Sequence, residues 1–256
     1  MHVLAAPDSF RPYSATHAVV ILVFAAGTAA LVVLRRRWRE TPRAAVLDRS
    51  LAVGCFVAWV WVQAFGLLPW RYEAAKALPL HVCDLAGLVA PPMLWTGWRP
   101  LRTVCYFWGI GLSTQGFIQP DLQQGPNDPS FWAFWVGHVA VVGTALYDVA
   151  ARGYRPTWRD YGVAVVTLAA YVAVVLPLDI VTGFNYGYVG RGKPGQPSVV
   201  DFLGPWPGRL LVISALAAAV LALMVLPWDV LRWWQRRERA GGRRDVGVLG
   251  GGVAGR

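Results

Sequence analysis

Charge is scarce in this chain. Only 15% of its 256 residues are Asp, Glu, Lys or Arg, and 56% are hydrophobic. A globular chain carries about 25% charged residues, so there are too few polar side chains here to coat one or two ordinary soluble domains. Cysteine is scarce too. Cys55, Cys83 and Cys105 are widely separated, which excludes a disulfide framework or a cysteine-rich metal site. HExxH and CxxC spacings are missing, as are barrel-type alternation and an inverted repeat of the kind that marks many transporters. The net charge of +10 would suit a nucleic-acid binder, but the basic residues lie between apolar runs instead of forming one stripe. No nucleic-acid partner is expected.

What the sequence does contain is apolar length. Crossing a hydrocarbon core takes about 20 mostly apolar helical residues. Seven such segments can be marked, at 17–34, 51–68, 78–95, 101–119, 131–149, 161–182 and 208–226. Pro91-Pro92 weaken the third, and Gly109 with Gly111 the fourth. Without water, backbone polar groups must be satisfied within each span. The expected fold is therefore an all-α polytopic membrane protein, a bundle of seven transmembrane helices.

Orientation follows from the basic residues. Eighteen of the 24 Lys and Arg fall on one side, after the first, third, fifth and seventh segments. By the positive-inside rule that side is cytosolic, so the expected arrangement is N-terminus out, C-terminus in, in the cytoplasmic membrane. The expected organisation is an extracytoplasmic stretch 1–16, a seven-helix domain 17–228 and a basic tail 229–256. The tail is Gly/Arg-rich and expected to be disordered from about Arg239. A cleaved signal peptide is not expected, because Arg35–Arg37 follow the first apolar run.

Polar groups inside a membrane are costly and call for a reason. Placed by depth, Gln63, His81, Cys83, Asp84, Ser113, Thr114, Gln115, Gln119, His138, Asp179 and Thr182 share a layer about 5–12 Å below the outer surface. The inner halves hold little beyond Cys55, Thr103 and Cys105. This pattern predicts an outward-facing polar cavity. Gln63, Ser113 and Thr114 equally suit interhelical hydrogen bonding. His81 and Asp84 are three apart and can pair on one helix face, on a helix that Pro79 is placed to open. A helix amino end and a nearby imidazole would favour a Cys83 thiolate, while a buried cysteine is ordinarily a small hydrophobe. His81, Cys83, Asp84 and His138 form a permissible zinc set without zinc-site spacing; no metal and no cofactor are expected. The long connection after the sixth segment carries Asn185-Tyr186, Lys193-Pro194 and Trp206. Its aromatics and prolines suggest an ordered cap over the cavity.

At these residues the sequence resembles the YwaF-type bacterial integral membrane family, distantly related to the eukaryotic transmembrane protein 164 family. The resemblance rests on Leu78-Pro79-Leu80-His81-Val82-Cys83-Asp84, Tyr106-Phe107-Trp108-Gly109 through Gln115, Pro120-Asp121, His138, Asn185-Tyr186, Lys193-Pro194 and Gly204-Pro205-Trp206-Pro207. It covers most of the chain, from about His17 to Trp228. It implies seven helices and, from the eukaryotic relatives, a lipid acyltransferase acting through a membrane-embedded cysteine, with a further related group that hydrolyses fatty-acid esters. The expected activity is therefore that of a lipid-active cysteine acyltransferase or esterase. Carried over, Cys83 is the acyl-accepting nucleophile and His138 its base, with Asp84 or Asp179 orienting an imidazole. His81, Gln115, Gln119, Asp179, Asn185, Tyr186 and Trp206 are then the substrate contacts, and membrane lipids are the partners. The competing expectation is a transporter or small-ligand-binding protein that uses the same cavity without covalent chemistry.

Overall fold

A computed structural model describes residues 9–191 and 199–249. The chain is all-helical, with no strand among the described residues. Long helices α1 (Ala15–Arg37) and α2 (Pro42–Gly66) lead through a single turn, α3 (Ala74–Ala77), into α4 (Val82–Thr96). A broken segment follows: α5 (Arg99–Val104), a wide π-helical stretch (Cys105–Leu112) and α6 (Gln115–Ile118). Then come α7 (Pro129–Ala151), α8 (Trp158–Thr182), short 3₁₀ turns at Tyr186–Tyr188 and Val199–Leu203, α9 (Arg209–Leu223) and α10 (Leu226–Leu249).

Local sequence sets these boundaries. Ser14 Oγ accepts the His17 N–H at 3.3 Å to cap α1, and Asp128 Oδ1 accepts the Ser130 N–H at 2.7 Å ahead of Pro129. Thr157 and Asp160 form a reciprocal capping box at the start of α8. Gly97 and Gly183 close α4 and α8 in the left-handed conformation that glycine takes without a Cβ clash.

Five helical stretches are long and apolar enough to cross a membrane: α1, α2, α7, α8 and the α9–α10 run Arg209–Arg239. α4 is apolar but shorter. The fourth predicted span, 101–119, is not one helix. Its middle widens into a π turn, with the Ser113 N–H reaching back five residues to Trp108 O at 2.9 Å, and Gly109 lies against the Val141 carbonyl and Ala145 of α7. α10 runs on to Leu249, past the point near Arg239 where disorder is expected.

α1 exposes Val19, Leu22, Val23 and Val33, as a lipid-facing helix does. The core lies between α4, the π stretch, α8 and α9, around Phe107, Tyr154, Tyr171, Val175 and Tyr186. α2 packs along α4, and the approach is tight: a Cβ on Gly87 would come within 2.9 Å of Trp59 Cδ1.

One end of the bundle departs from expectation. The inner halves were to be nearly free of polar groups, yet Asp48, Asp148 and Asp160 are buried there. Arg35 Nε lies 3.0 Å and Arg152 Nε 3.4 Å from Asp48, which also accepts the Tyr147 hydroxyl at 2.6 Å. Arg102 Nε meets Asp148 at 2.8 Å. Arg99 grips Asp160 with two donors, at 2.9 and 2.6 Å, while Thr103 Oγ1 donates to the same carboxylate. Asp48 and Asp160 fall just outside the predicted spans and Asp148 in the last turn of the fifth; tertiary packing draws all three in among the arginines that were to set orientation alone.

Candidate functional site

The opposite end holds the residues singled out from sequence. α4 begins at Val82, three residues later than the helix start predicted at Pro79. The reason is local. Tyr171 of α8 donates its hydroxyl to Leu80 O at 2.7 Å, and the Asp84 carboxylate accepts the His81 backbone N–H at 3.1 Å. Together these hold Leu80 and His81 outside the helix. Asp84 lies in the first turn, where its charge suits the positive end of the helix. Trp59 of α2 donates to Asp84 O at 2.8 Å, and Gln63 of α2 interacts with the Asp84 side chain. Even so, the Gln63 amide nitrogen lacks a hydrogen bond of good geometry.

Cys83 is a free thiol on the same turn, near enough to interact electrostatically with Tyr171 and with Tyr188. Tyr188 has φ +61°, a backbone state that non-glycine residues rarely occupy and that collects at functional segments. Asp179, from the last turn of α8, is 2% exposed. Its Oδ1 accepts the Tyr186 N–H at 3.0 Å. Tyr186 is fully buried, donates its hydroxyl to Ala74 O at 2.6 Å and stands edge-on to His81 with ring centres 4.9 Å apart. Burial pushes the Tyr186 phenol up from its ordinary value, and the nearby Asp179 adds to this, so it acts as a donor at neutral pH. Cys83, Asp84, Asp179 and Tyr186 are thus gathered around Tyr171, with His81 against the Tyr186 ring and Asn185 next in the chain.

This cluster is incompletely satisfied. Gln63 Nε2, Trp108 Nε1, Asp179 Oδ2 and Asn185 Oδ1 are buried without a hydrogen-bond partner. The Trp108 ring lies 5.7 Å from that of Tyr171, and Asn185 adjoins Tyr186. A buried polar atom left unpaired costs about 1–3 kcal/mol, so several in one neighbourhood invite a polar ligand.

The other predicted members have contacts of their own. His138 Nδ1 is 2.8 Å from Phe134 O. A carbonyl only accepts, so Nδ1 carries the proton and Nε2 is the basic nitrogen. The ring stacks on Phe134, with centres 4.2 Å apart, and abuts Gly116. A Cβ on Gly116 would come within 2.4 Å of it, so only glycine leaves room there. No hydrogen bond joins Cys83 to His138 among the described residues. Gln115 and Gln119 flank α6 and are exposed. Ser113 and Thr114 hydroxyls turn back to Trp108 O and Ile110 O. Trp206 Nε1 donates to Val189 O at 3.2 Å beneath the Arg191 guanidinium. Lys193 and Pro194 lie outside the described residues.

Two features were not read from sequence. His17 is buried, accepting the Tyr13 N–H at Nδ1 and donating to Phe117 O from Nε2; with both nitrogens engaged it has a structural part. Tyr171, the hub of the cluster, looks in sequence like one more apolar-run aromatic. Among the described residues no group of three or more His, Cys, Asp or Glu side chains is disposed to hold a metal ion. Compared with known proteins, residues 12–225 match a sequence profile of the TMEM164 family. Neither a curated protein nor a solved structure matches the chain.

Proposed function

The chain belongs to the TMEM164 family, and on that premise we propose that it is a multi-pass enzyme of the cytoplasmic membrane acting on acyl lipids, of the YwaF type within that family. Seven spans are then α1, α2, α4, the broken α5–α6 segment, α7, α8 and α9, with the arginine-rich end in the cytosol. The observation that carries the reading is Cys83 on the first turn of α4, set among buried polar atoms that lack partners.

In the proposed reaction the Cys83 sulfur attacks the carbonyl of an acyl ester, and its proton passes to His138 Nε2. The ester C–O bond breaks, and the leaving lysolipid oxygen takes the proton from His138. An incoming hydroxyl, from a second lipid or from water, then gives its proton to His138 and attacks the thioester; the C–S bond breaks, and the Cys83 sulfur takes the proton back from His138. The Nδ1–H tautomer of His138 supports the part of base, because it leaves Nε2 able to accept. Asn185 serves as donor to the developing oxyanion, with Gln115 and Gln119 at the rim; Asp84 and Asp179 orient the polar groups. His81, Tyr186 and Trp206 bound the acyl-ester site. The test is labelling of the purified chain with a thiol-reactive acyl probe. Labelling is expected in the wild type, lost in Cys83→Ala and reduced in His138→Ala; equal labelling of all three would sink the reading.

The unpartnered Asp179 Oδ2 favours a second reading, a binding or transport site without covalent chemistry. Substrate-dependent flux in proteoliposomes that survives Cys83→Ala would select it.

A further inference from the structure

The arginine-rich end carries a second feature. A groove of about 270 Å³ lies on the surface between α2 and α4, lined by Ala52, Val53, Phe56, Pro91, Pro92 and Trp95. All six are apolar. Val53, Phe56 and Trp95 are each about half exposed, so in a membrane the groove opens toward lipid. Its volume suits part of one acyl chain, being below the range of about 300–1,000 Å³ usual for sites that enclose a whole small ligand.

Arg49 stands at its head. Residues 49, 52, 53 and 56 follow the i, i+3, i+4, i+7 spacing of one helix face, so Arg49 continues the groove one turn toward the start of α2. Its guanidinium lies over the Trp95 ring, 5.7 Å from the centre. Its neighbours in the bundle end are committed elsewhere: Arg35 and Arg152 to Asp48, Arg102 to Asp148, Arg99 to Asp160. Arg49 is exposed and has no carboxylate partner among the described residues. Trp95, amphipathic and near a helix terminus, sits where such rings mark the headgroup level.

We propose that this groove holds an anionic phospholipid of the leaflet on the arginine-rich side. One acyl chain lies along α2 and α4, and the headgroup phosphate is bound by Arg49. The argument is one of charge and access. The groove faces hydrocarbon, so lipid is what reaches it. A guanidinium fixed by an indole and lacking an acidic partner matches a phosphate with parallel N–H donors, and anionic headgroups concentrate beside basic membrane-proximal residues. The site lies at the opposite end of the bundle from Cys83, so it stands or falls separately from the acyl chemistry.

The experiment uses the full chain in nanodiscs made with phosphatidylglycerol, followed by detergent extraction and native mass spectrometry. The wild type is expected to retain one phosphatidylglycerol. Arg49→Gln should retain about tenfold less, the loss expected when a charge-assisted hydrogen bond is removed. Val53→Trp, which fills the groove without touching the charge, should lose the lipid as well. Arg43→Gln is the control, because Arg43 also lies over an indole, that of Trp38 at 5.9 Å, but away from the groove; it should retain the wild-type amount. Retention by Arg49→Gln and Val53→Trp at the wild-type level would overturn the proposal. So would equal loss in Arg43→Gln, which would mean a diffuse basic surface, or a wild type that holds no lipid.

Discussion

The two ends of the bundle handle buried polarity in opposite ways. At the arginine-rich end, each buried carboxylate meets at least one guanidinium: Asp48 has Arg35 and Arg152, Asp148 has Arg102 and Arg152, and Asp160 has Arg99. At the other end, Asp179 is equally buried but takes a single backbone N–H and leaves Oδ2 without a partner. An acid buried with its counter-charge belongs to the scaffold, since its pairing offsets the desolvation that burial costs. An acid buried without one is an open position. Asp148 Oδ1 also lacks a hydrogen bond but has Arg152 Nη1 at 3.5 Å, so what distinguishes the open end is burial without a counter-charge.

Substitutions at the paired end should have the largest effect. Asp48→Ala strands two guanidinium groups and the Tyr147 hydroxyl. Removing one partner of a buried ion pair costs about 3–5 kcal/mol, so the melting midpoint in detergent should fall by roughly 10 °C, given the slope for a chain of this size. The exposed Arg39–Glu40 pair, 73% and 82% accessible, supplies the contrast, because Glu40→Ala should change stability by less than about 1 kcal/mol. Equal shifts for the two variants would erase the distinction between paired burial and surface decoration.

A smaller stability change is expected at the open end. Asp179→Asn keeps an acceptor for the Tyr186 N–H and replaces an unpaired carboxyl by an amide of the same shape, so stability should hold to within about 1 kcal/mol. On the proposed function, acyl-lipid ligands are expected to stabilise the wild type against heat, and the same variant should lose that stabilisation. A drop matching that of Asp48→Ala would show that Asp179 is scaffold, and the comparison would fail.

The smallest effect concerns pH. The Asp128 carboxyl, in the loop before α7, is held below the ordinary carboxylate value, first by the backbone N–H and the hydroxyl of Ser130 and then by Arg71. A depressed folded-state value gives stability that is fully present above the unfolded value, about 3.9, and is lost as pH falls through the folded one. Asp128→Ala should therefore lower stability slightly at neutral pH and flatten the acid limb below about pH 4, so that the two stability–pH curves converge at low pH. Curves that coincide from neutral pH to the acid limb would remove Asp128 from the account.

Much of the fold was legible because membrane burial is a composition effect. Apolar runs long enough to span located α1, α7, α8 and α9 within a few residues of their observed bounds, while α2 starts nine residues before the predicted 51–68. The fourth segment was misread because hydropathy registers length and not helix type. Cys105–Leu112 is as apolar as any span, yet it opens into a π turn where Gly109 lies close to α7. The polar layer was legible in part. Depth in the sequence sets His81, Cys83, Asp84, Asp179 and His138 at one expected level; the contacts of His138 with Phe134 and Gly116 could not be read that way, because depth gives height along the bundle and says nothing about angle around it.

By itself the sequence determined that this chain belongs in a membrane, that its spans are helices, and which polar residues stand near which end. Those properties follow from how many apolar residues stand in a row and from the cost of an unsatisfied backbone in lipid. Only the tertiary structure decided which polar residues are spent. The acids of the arginine-rich end sit near helix termini, and nothing local in the sequence marks them as buried or paired. Partners separated by scores of residues, such as Asp48 with Arg152 or Tyr171 with Leu80, meet only when the helices pack, and pairing is a property of distance in space.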